Sequence, residues 1–515
     1  MPKISRRDFL KASAALVASA TLSGTSPVFS SPHSPKNTKP NIFLFVFDAM
    51  SARNLSLYGY PRETTPNLKK FAERAAVYHN HFSEGNFTTS GTASMLTGLH
   101  PWTHRAFNYR GMINRALIDR NFFNLIGNQY KRIAFTQNLW ADILLSQMEK
   151  DLDVHIPCDA FSQIVHSLLQ PDDLPGDRAL AYYIFQDFLN LRVDDVHPFP
   201  GSLFVASADL SKALRPNRNG ISDQYPRGLP TNYDYSYENS SVLEGIGQVI
   251  QDVLTPSMPV FAYFHLWSPH GPYNARKDFI GLFPEDLNLG PKPRPAFSGS
   301  DYSEARLRKD RREYDEFITD VDAEFGRLIS TLEESGALRN SYVIVTSDHG
   351  ELFERGESGH ASALMYAPVT RIPLLISAPG QQTRSDVHSL TSNLDLLPTL
   401  LRIVEKDIPD WVEGRPLPGF GGTEDRSRSI FPMVAKDNAA FGPLKHGTFT
   451  LIKGAYELFL FTGYAGHLDA VELYNLQDDP DELHNLFSRD INTASQMKDE
   501  LLEAIHIANR NYQTK

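Results

Sequence analysis

Four short segments carry side chains from which a reaction centre could be assembled. Asn86-Phe87-Thr88-Thr89-Ser90-Gly91-Thr92-Ala93-Ser94 is dense in hydroxyls, Asp48 closes the apolar run 41–47, Asp348 and His349 follow a second apolar run that ends at Thr346, and His270 stands between prolines in Pro269-His270-Gly271-Pro272-Tyr273. A hydroxyl is a weak nucleophile at its free pKa; it needs a metal to lower that pKa and neutralise the transferred group, and an acid for the leaving oxygen. Thr88, Asp48, Asp348, His349 and His270 offer that set. An isolated carboxylate at the end of a buried strand is costly, so Asp48 and Asp348 call for a counter-charge. The His270 imidazole suits oxyanion binding or protonation of a leaving group. His265, inside the preceding strand, reads as a packed core histidine.

The elements that position these residues alternate between strand and helix from about Pro40 to Val404. Continuous apolar runs before Asp48 and Asp348 are those of buried parallel strands delivering a ligand at their carboxyl ends. Segments 131–135 and 258–264 are further strands, and Thr65 is placed to cap a helix with Pro66 at its first position and Leu68, Phe71 and Ala75 on one face. From Glu304 to Gly336 the spacing of Tyr314, Phe317, Ile318, Val321, Phe325, Leu328 and Leu332 predicts a long amphipathic helix stopped by glycine, with Arg306 to Arg312 on a solvated face. This pattern is α/β, with a large, mostly parallel sheet covered on both sides and ligands gathered at strand carboxyl ends. The Pro/Gly/Asn/Ser-rich stretch 198–230 reads as an inserted loop bordering the cleft. The tract 409–422 marks a boundary, and strands at 448–452 and 456–461 follow it.

The 515 residues, 41% of them hydrophobic, can bury a sizeable core, and the net charge of −11 leaves no basic stripe for a nucleic acid. With one cysteine, Cys158, no intrachain disulfide can form, and that residue reads as structural. Ser5-Arg6-Arg7-Asp8-Phe9-Leu10-Lys11 matches a twin-arginine export signal. The Ala/Ser-rich stretch 12–22 after it is too short for a stable membrane span, 23–40 reads as a linker, and Ala18-Ser19-Ala20 is a cleavage candidate. Export by the twin-arginine machinery implies a bacterial periplasmic or secreted protein that crosses the membrane folded, which allows a metal to be loaded in the cytoplasm. The expected division is 1–36 for signal and linker, 37–405 for the catalytic domain and 406–515 for a C-terminal subdomain.

Several motifs together resemble the sulfatase family of the alkaline phosphatase superfamily. They are the strand ending at Asp48, Leu57-Tyr58-Gly59, Thr65-Pro66-Asn67-Leu68, Leu96-Thr97-Gly98, Ser347-Asp348-His349-Gly350-Glu351, Asp395-Leu396-Leu397-Pro398-Thr399 and the late segment 472–486. The resemblance implies an alkaline phosphatase/sulfatase-like α/β/α sandwich with a small C-terminal sheet. It also implies that Thr88, ten residues before Gly98, occupies the place of the sulfatase cysteine that becomes formylglycine, and that Asp48, Asp348, His349 and Thr88 itself are metal ligands. Many sulfatases carry a second acid after the first Asp and an Asn after the later one, a hard oxygen set suited to calcium. Here Ala49 and His349 stand there, so zinc or manganese is favoured, as one or two ions. His360, eleven residues after His349, matches a histidine that in phosphoethanolamine and phosphoglycerol transferase relatives contacts the phosphoryl group or a second metal. His100 and His104 lie beside the nucleophile segment and are weaker candidates. Thr92 and Ser362 stand where the family carries an arginine and a lysine.

A formylglycine enzyme expels sulfate by re-forming its aldehyde, and threonine cannot. A phosphorylated Thr88 can instead be cleared by water attacking phosphorus in line. The expectation is therefore a metal-dependent hydrolase of a phosphate mono- or diester, acting through a covalent Thr88 intermediate on a small-molecule, glycan or lipid-headgroup ester. A sulfuric ester hydrolase is the first alternative. A catalytically silent protein that binds an anionic glycan or headgroup is the second.

Overall fold

The two apolar runs lie side by side at the centre of an eight-stranded sheet. In this computed structural model residues 39–512 are described, apart from 109–110, 166–222, 233–234, 256, 285–286, 288–289, 296 and 298–299. The signal segment and 198–222 of the expected insertion lie outside the described residues. The elements that build the core are β1 (Asn41–Phe47), α1 (Pro66–Ala72), β2 (Ala76–Tyr78), α2 (Thr88–Thr97), β3 (Lys131–Thr136), α3 (Leu139–Gln147), β4 (Val154–Ile156), α4 (Asn239–Val253) and β5 (Val260–Leu266). They continue with α5 (Glu304–Glu334), β6 (Ser341–Thr346), β7 (Leu374–Ser377), β8 (Ser385–Val387) and α6 (Leu396–Ile403). The sheet order is β8-β2-β7-β6-β1-β5-β3-β4. Only β7 runs antiparallel to its neighbours.

Register decides what meets at the carboxyl edge. Val46 pairs with His265 on one side and Thr346 on the other, and His265 in turn pairs with Thr136. The residues just beyond these positions, Asp48, Gln137 and Asn138, and Ser347 to His349, therefore emerge together. Alternation along β5 sends Phe264 to the face covered by α4 and α5, and Tyr263 to the opposite face, where Ala93, Met95 and Leu96 of α2 pack. His265 shares the parity of Tyr263 and faces α2.

Helix α5 buries the expected apolar stripe, with Phe325 against the rings of Phe45, Phe47 and Phe71, and the chain turns at Gly336 with φ of 77°. Two local expectations differ. Arg311 leaves the solvated face and turns inward to donate to the Phe353 carbonyl. Thr65 makes no side-chain cap on α1; its hydroxyl meets Ser56 and Leu57, and the Asp322 carboxylate of α5 accepts from the amides of Asn67 and Leu68 at 2.8 Å each. A carboxylate from another helix thus stabilises the positive end of α1.

A second sheet holds Ser429–Ile430, Met433–Val434, β9 (Gly447–Lys453), β10 (Tyr456–Thr462) and β11 (Ala470–Asn475), all antiparallel, with α7 (Ile491–Asn509) packed on it. Asp395, at the start of α6, accepts both guanidinium nitrogens of Arg428 at 2.6 Å and ties this sheet to the core.

Candidate active site

Helix α2 places Thr88 at its first turn, where unpaired amides leave partial positive charge. The small residues of this helix have a steric reason. A Cβ on Gly91 would stand 2.2 Å from the Asp348 carbonyl oxygen, so only glycine lets the helix approach that strand end. The Thr88 hydroxyl accepts from Asn138 Nδ2 at 3.0 Å and lies 3.5 Å from His349 Nε2. Asn138 also caps α3, its Oδ1 accepting from the Trp140 amide at 2.8 Å. That bond sets the orientation of the side-chain amide and aims Nδ2 at Thr88 and at Asp48 Oδ2, 2.5 Å away.

The two acids are anchored on one side and bare on the other. Asp348 Oδ1 accepts from the amides of His349 and Ala49, the latter at a φ of 59°, while Asp348 Oδ2 and Asp48 Oδ1 are fully buried with no hydrogen-bond partner. Burial first, and for Asp48 the neighbouring Asp348 next, hold both carboxyls above their ordinary range. The His349 ring donates from Nδ1 to the Gly350 carbonyl at 2.9 Å, which leaves the lone pair on Nε2, 3.4 Å from Asp48 Oδ1. One ligand atom each from Asp48, Asp348 and His349 lie within 4.8 Å of one another. Orphaned buried oxygens facing a fixed imidazole lone pair fit a divalent cation, which would relieve the desolvation of both acids. His265, read from sequence as core packing, is wholly buried as expected, yet its Nε2 faces the same two acids at 3.7 and 3.6 Å.

Around this buried floor stands a half-open rim. His360 Nδ1 is bound to Glu351 Oε1 at 2.9 Å, which leaves Nε2 as its second polar atom, and its ring lies 4.2 Å from that of His349 and 4.9 Å from that of His270, centre to centre. Burial lowers the pKa of both rim histidines to about 3 and pushes Glu351 up to about 7. Asn86 pins the rim by donating to the carbonyls of His360 and Ser362. Lys436, from the second sheet, reaches over the Phe87 ring and donates to the Ala361 carbonyl at 3.1 Å; burial brings its ammonium pKa down to about 7. His100 and His104 are engaged elsewhere, the first with Glu84 and the second with Ser94.

Thr88, Asp48, Asp348, His349, His270 and His360 thus come together. Asn138, Glu351 and Lys436 were not legible as members of this group. Asn138 carried only a helix-capping signal, Glu351 sat unused beside Asp348 and His349, and Lys436 is 87 positions beyond His349 with no motif around it.

The family model described as Sulfatase matches residues 40–405, and that for the C-terminal part of N-sulphoglucosamine sulphohydrolase matches 356–507. The twin-arginine translocation signal model matches 3–23, and among the described residues no helix is long and apolar enough to cross a membrane. The chain is 28% identical to choline-sulfatase of Rhizobium meliloti (strain 1021), covering 87% of this chain and 82% of that protein. It is 23% identical to arylsulfatase K of Xenopus laevis, over 88% of this chain and 80% of that one. In fold it is similar to the phosphonate monoester hydrolase of Silicibacter pomeroyi, with a TM-score of 0.63 and 17% identity over 92% of this chain and 96% of that one. With the Sulfatase match spanning more than two thirds of its length and a twin-arginine signal ahead of it, the chain belongs to the sulfatase family, as a hydrolase exported to the periplasm or beyond.

Proposed function

We propose that the protein hydrolyses a phosphate mono- or diester through a covalent phosphoryl ester on Thr88. The observation that carries this reading is a threonine hydroxyl at the head of α2, where a formylglycine enzyme needs an oxidisable cysteine or serine. Asp48, Asp348 and His349, with Thr88 Oγ1 beside them, would hold a divalent cation; bound there, it supplies the positive charge that lowers the hydroxyl pKa and offsets the phosphoryl oxygens. The imidazole in that set favours zinc or manganese over calcium.

The Thr88 hydroxyl, its pKa lowered, gives its proton to solvent, and Oγ1 attacks phosphorus as the bond to the leaving oxygen breaks. His360 gives that oxygen its Nε2 proton, and Glu351, still partly protonated near neutral pH, restores the ring through Nδ1. Lys436 binds the transferred oxyanion, while His270, whose Nδ1 donates to the Gly271 carbonyl at 2.8 Å, keeps a lone pair on Nε2 and accepts from a water or substrate hydroxyl. Water then attacks phosphorus and returns Thr88 as a hydroxyl. The organic part of the ester is a small molecule, a glycan or a lipid headgroup. Hydrolysis of a sulfuric ester is the second reading, favoured by the choline-sulfatase and arylsulfatase relatives and by the cation that Lys436 brings to the rim.

The test compares p-nitrophenyl phosphate, bis-p-nitrophenyl phosphate and p-nitrophenyl sulfate, with mass spectrometry after an acid quench. Faster turnover of a phosphate ester and a phosphoryl adduct on the Thr88 peptide are expected. Thr88→Ala should lose both adduct and turnover, the latter by about a thousandfold or more, at unchanged thermal stability, while Thr89→Ala is milder. Sustained turnover of the sulfate ester in preference to both phosphates establishes the second reading instead.

A further inference from the structure

We propose that His265 is a further ligand of the divalent cation, so that Asp48, Asp348, His265 and His349 form a two-carboxylate, two-imidazole set. The proposal rests on the reading that this site holds a cation, and it assigns part of the selectivity to a residue outside the motifs.

His265 Nε2 lies 3.7 Å from Asp48 Oδ2 and 3.6 Å from Asp348 Oδ2, too far for a hydrogen bond to either. This nitrogen has no other hydrogen-bond partner, and the facing Asp348 Oδ2 has none either, in a place sealed from solvent. Two unpaired polar atoms at such depth are costly as they stand. The 3.7 and 3.6 Å separations fall within about 4.4 Å, the span of two ligand atoms each about 2.0–2.2 Å from one cation. The ligand atoms that already lie within 4.8 Å of one another are those of Asp48, Asp348 and His349, so His265 completes the set by a small inward shift of its ring.

The ring is also held as a ligand ring is held. Nδ1 meets the Tyr263 hydroxyl at 3.1 Å, and with Nδ1 donating to that oxygen the Nε2 lone pair points at the acids. Position 49, next to Asp48, offers no donor to compensate: Ala49 has only a methyl, its amide is spent on Asp348 Oδ1 and its carbonyl accepts from Tyr314 at 2.6 Å. A second imidazole in place of a second acid moves the set away from calcium and toward zinc or manganese.

The experiment uses the full protein loaded with zinc, manganese or cobalt(II). Metal content, chelator-competition affinity, the cobalt absorption spectrum and pulsed EPR of the manganese form are compared for wild type, His265→Ala, His265→Asp, Tyr263→Phe and Asp348→Asn. Two or more imidazole nitrogens on manganese in wild type, and one fewer in His265→Ala, are expected. His265→Ala should weaken zinc binding by about a hundredfold or more, Tyr263→Phe by about tenfold, and His265→Asp should shift preference toward calcium. If His265→Ala does not fold, a single imidazole on manganese in wild type, or unaltered zinc-over-calcium preference in His265→Asp, still overturns the proposal. Unchanged affinity and cobalt spectrum in a folded His265→Ala, with metal lost in Asp348→Asn, overturns it alone. Wild type that takes up no metal overturns the cation reading and this proposal with it.

Discussion

Lys436 shows how one side chain can replace a missing motif. Thr92 and Ser362 stand where the sequence resemblance leads one to expect two cations, and an ammonium from the second sheet arrives at the same rim. Burial lowers its pKa from 10.5 to about 7, so it is charged below that pH and increasingly neutral above it. Affinity for an anionic ester therefore falls as pH rises through about 7. Lys436→Met should raise KM for p-nitrophenyl phosphate about tenfold at pH 6, the worth of one charge-assisted hydrogen bond, with a smaller effect at about pH 8.5. Steady-state KM profiles for the two proteins check this, and parallel profiles would remove Lys436 from substrate binding.

Among the elements, α2 is the one whose composition is set by approach rather than by propensity. Gly91 in its first turns should be a liability, and replacing a helical glycine by alanine ordinarily stabilises by about 1 kcal/mol. Here the added methyl would meet the Asp348 carbonyl oxygen at 2.2 Å, which is backbone and cannot swing aside. Gly91→Ala should therefore lower the melting temperature and displace Thr88 from Asp48 and Asp348, cutting turnover at least about a hundredfold. Thermal unfolding with kinetics decides it, because a stabilised and active Gly91→Ala is incompatible with that approach. By the same logic Asn138 couples an element to a site: its oxygen starts α3 and its nitrogen holds Thr88 and Asp48.

For the whole molecule, the seam between the two sheets carries a buried acid pair. Glu457 on β10 is sealed from solvent and faces Glu482, whose carboxylate accepts from the Ala367 amide and whose pKa burial raises from 4.5 to about 7. Burial first, and Glu482 next, hold Glu457 well above the ordinary carboxylate range. A carboxyl with a folded pKa above its unfolded value binds its proton better when folded, so stability falls as pH rises from about 4.5 to about 7 and stays lowered beyond for Glu482. Glu457→Gln should flatten that decline and stabilise the protein by about 1–3 kcal/mol at about pH 8, with little gain at about pH 4.5. Urea unfolding at the two pH values measures the difference, and equal effects at both would rule out the titrating pair.

Sequence alone determined the α/β core, the long helix α5, the export signal and the family, because apolar runs, helical periodicity and short motifs are local patterns. It also brought Thr88, Asp48, Asp348 and His349 into one argument, since each sits at an element end where ligands collect. Tertiary structure decided what is paired across distance. Strand register turned His265 from a core histidine into a neighbour of both acids, and helix packing made Gly91 obligatory. The docking of the second sheet brought Lys436 to Phe87, and Asp322 rather than Thr65 came to cap α1. None of these leaves a local trace: a side chain's partner on another strand or sheet is set by register and packing, which a period along one segment does not encode.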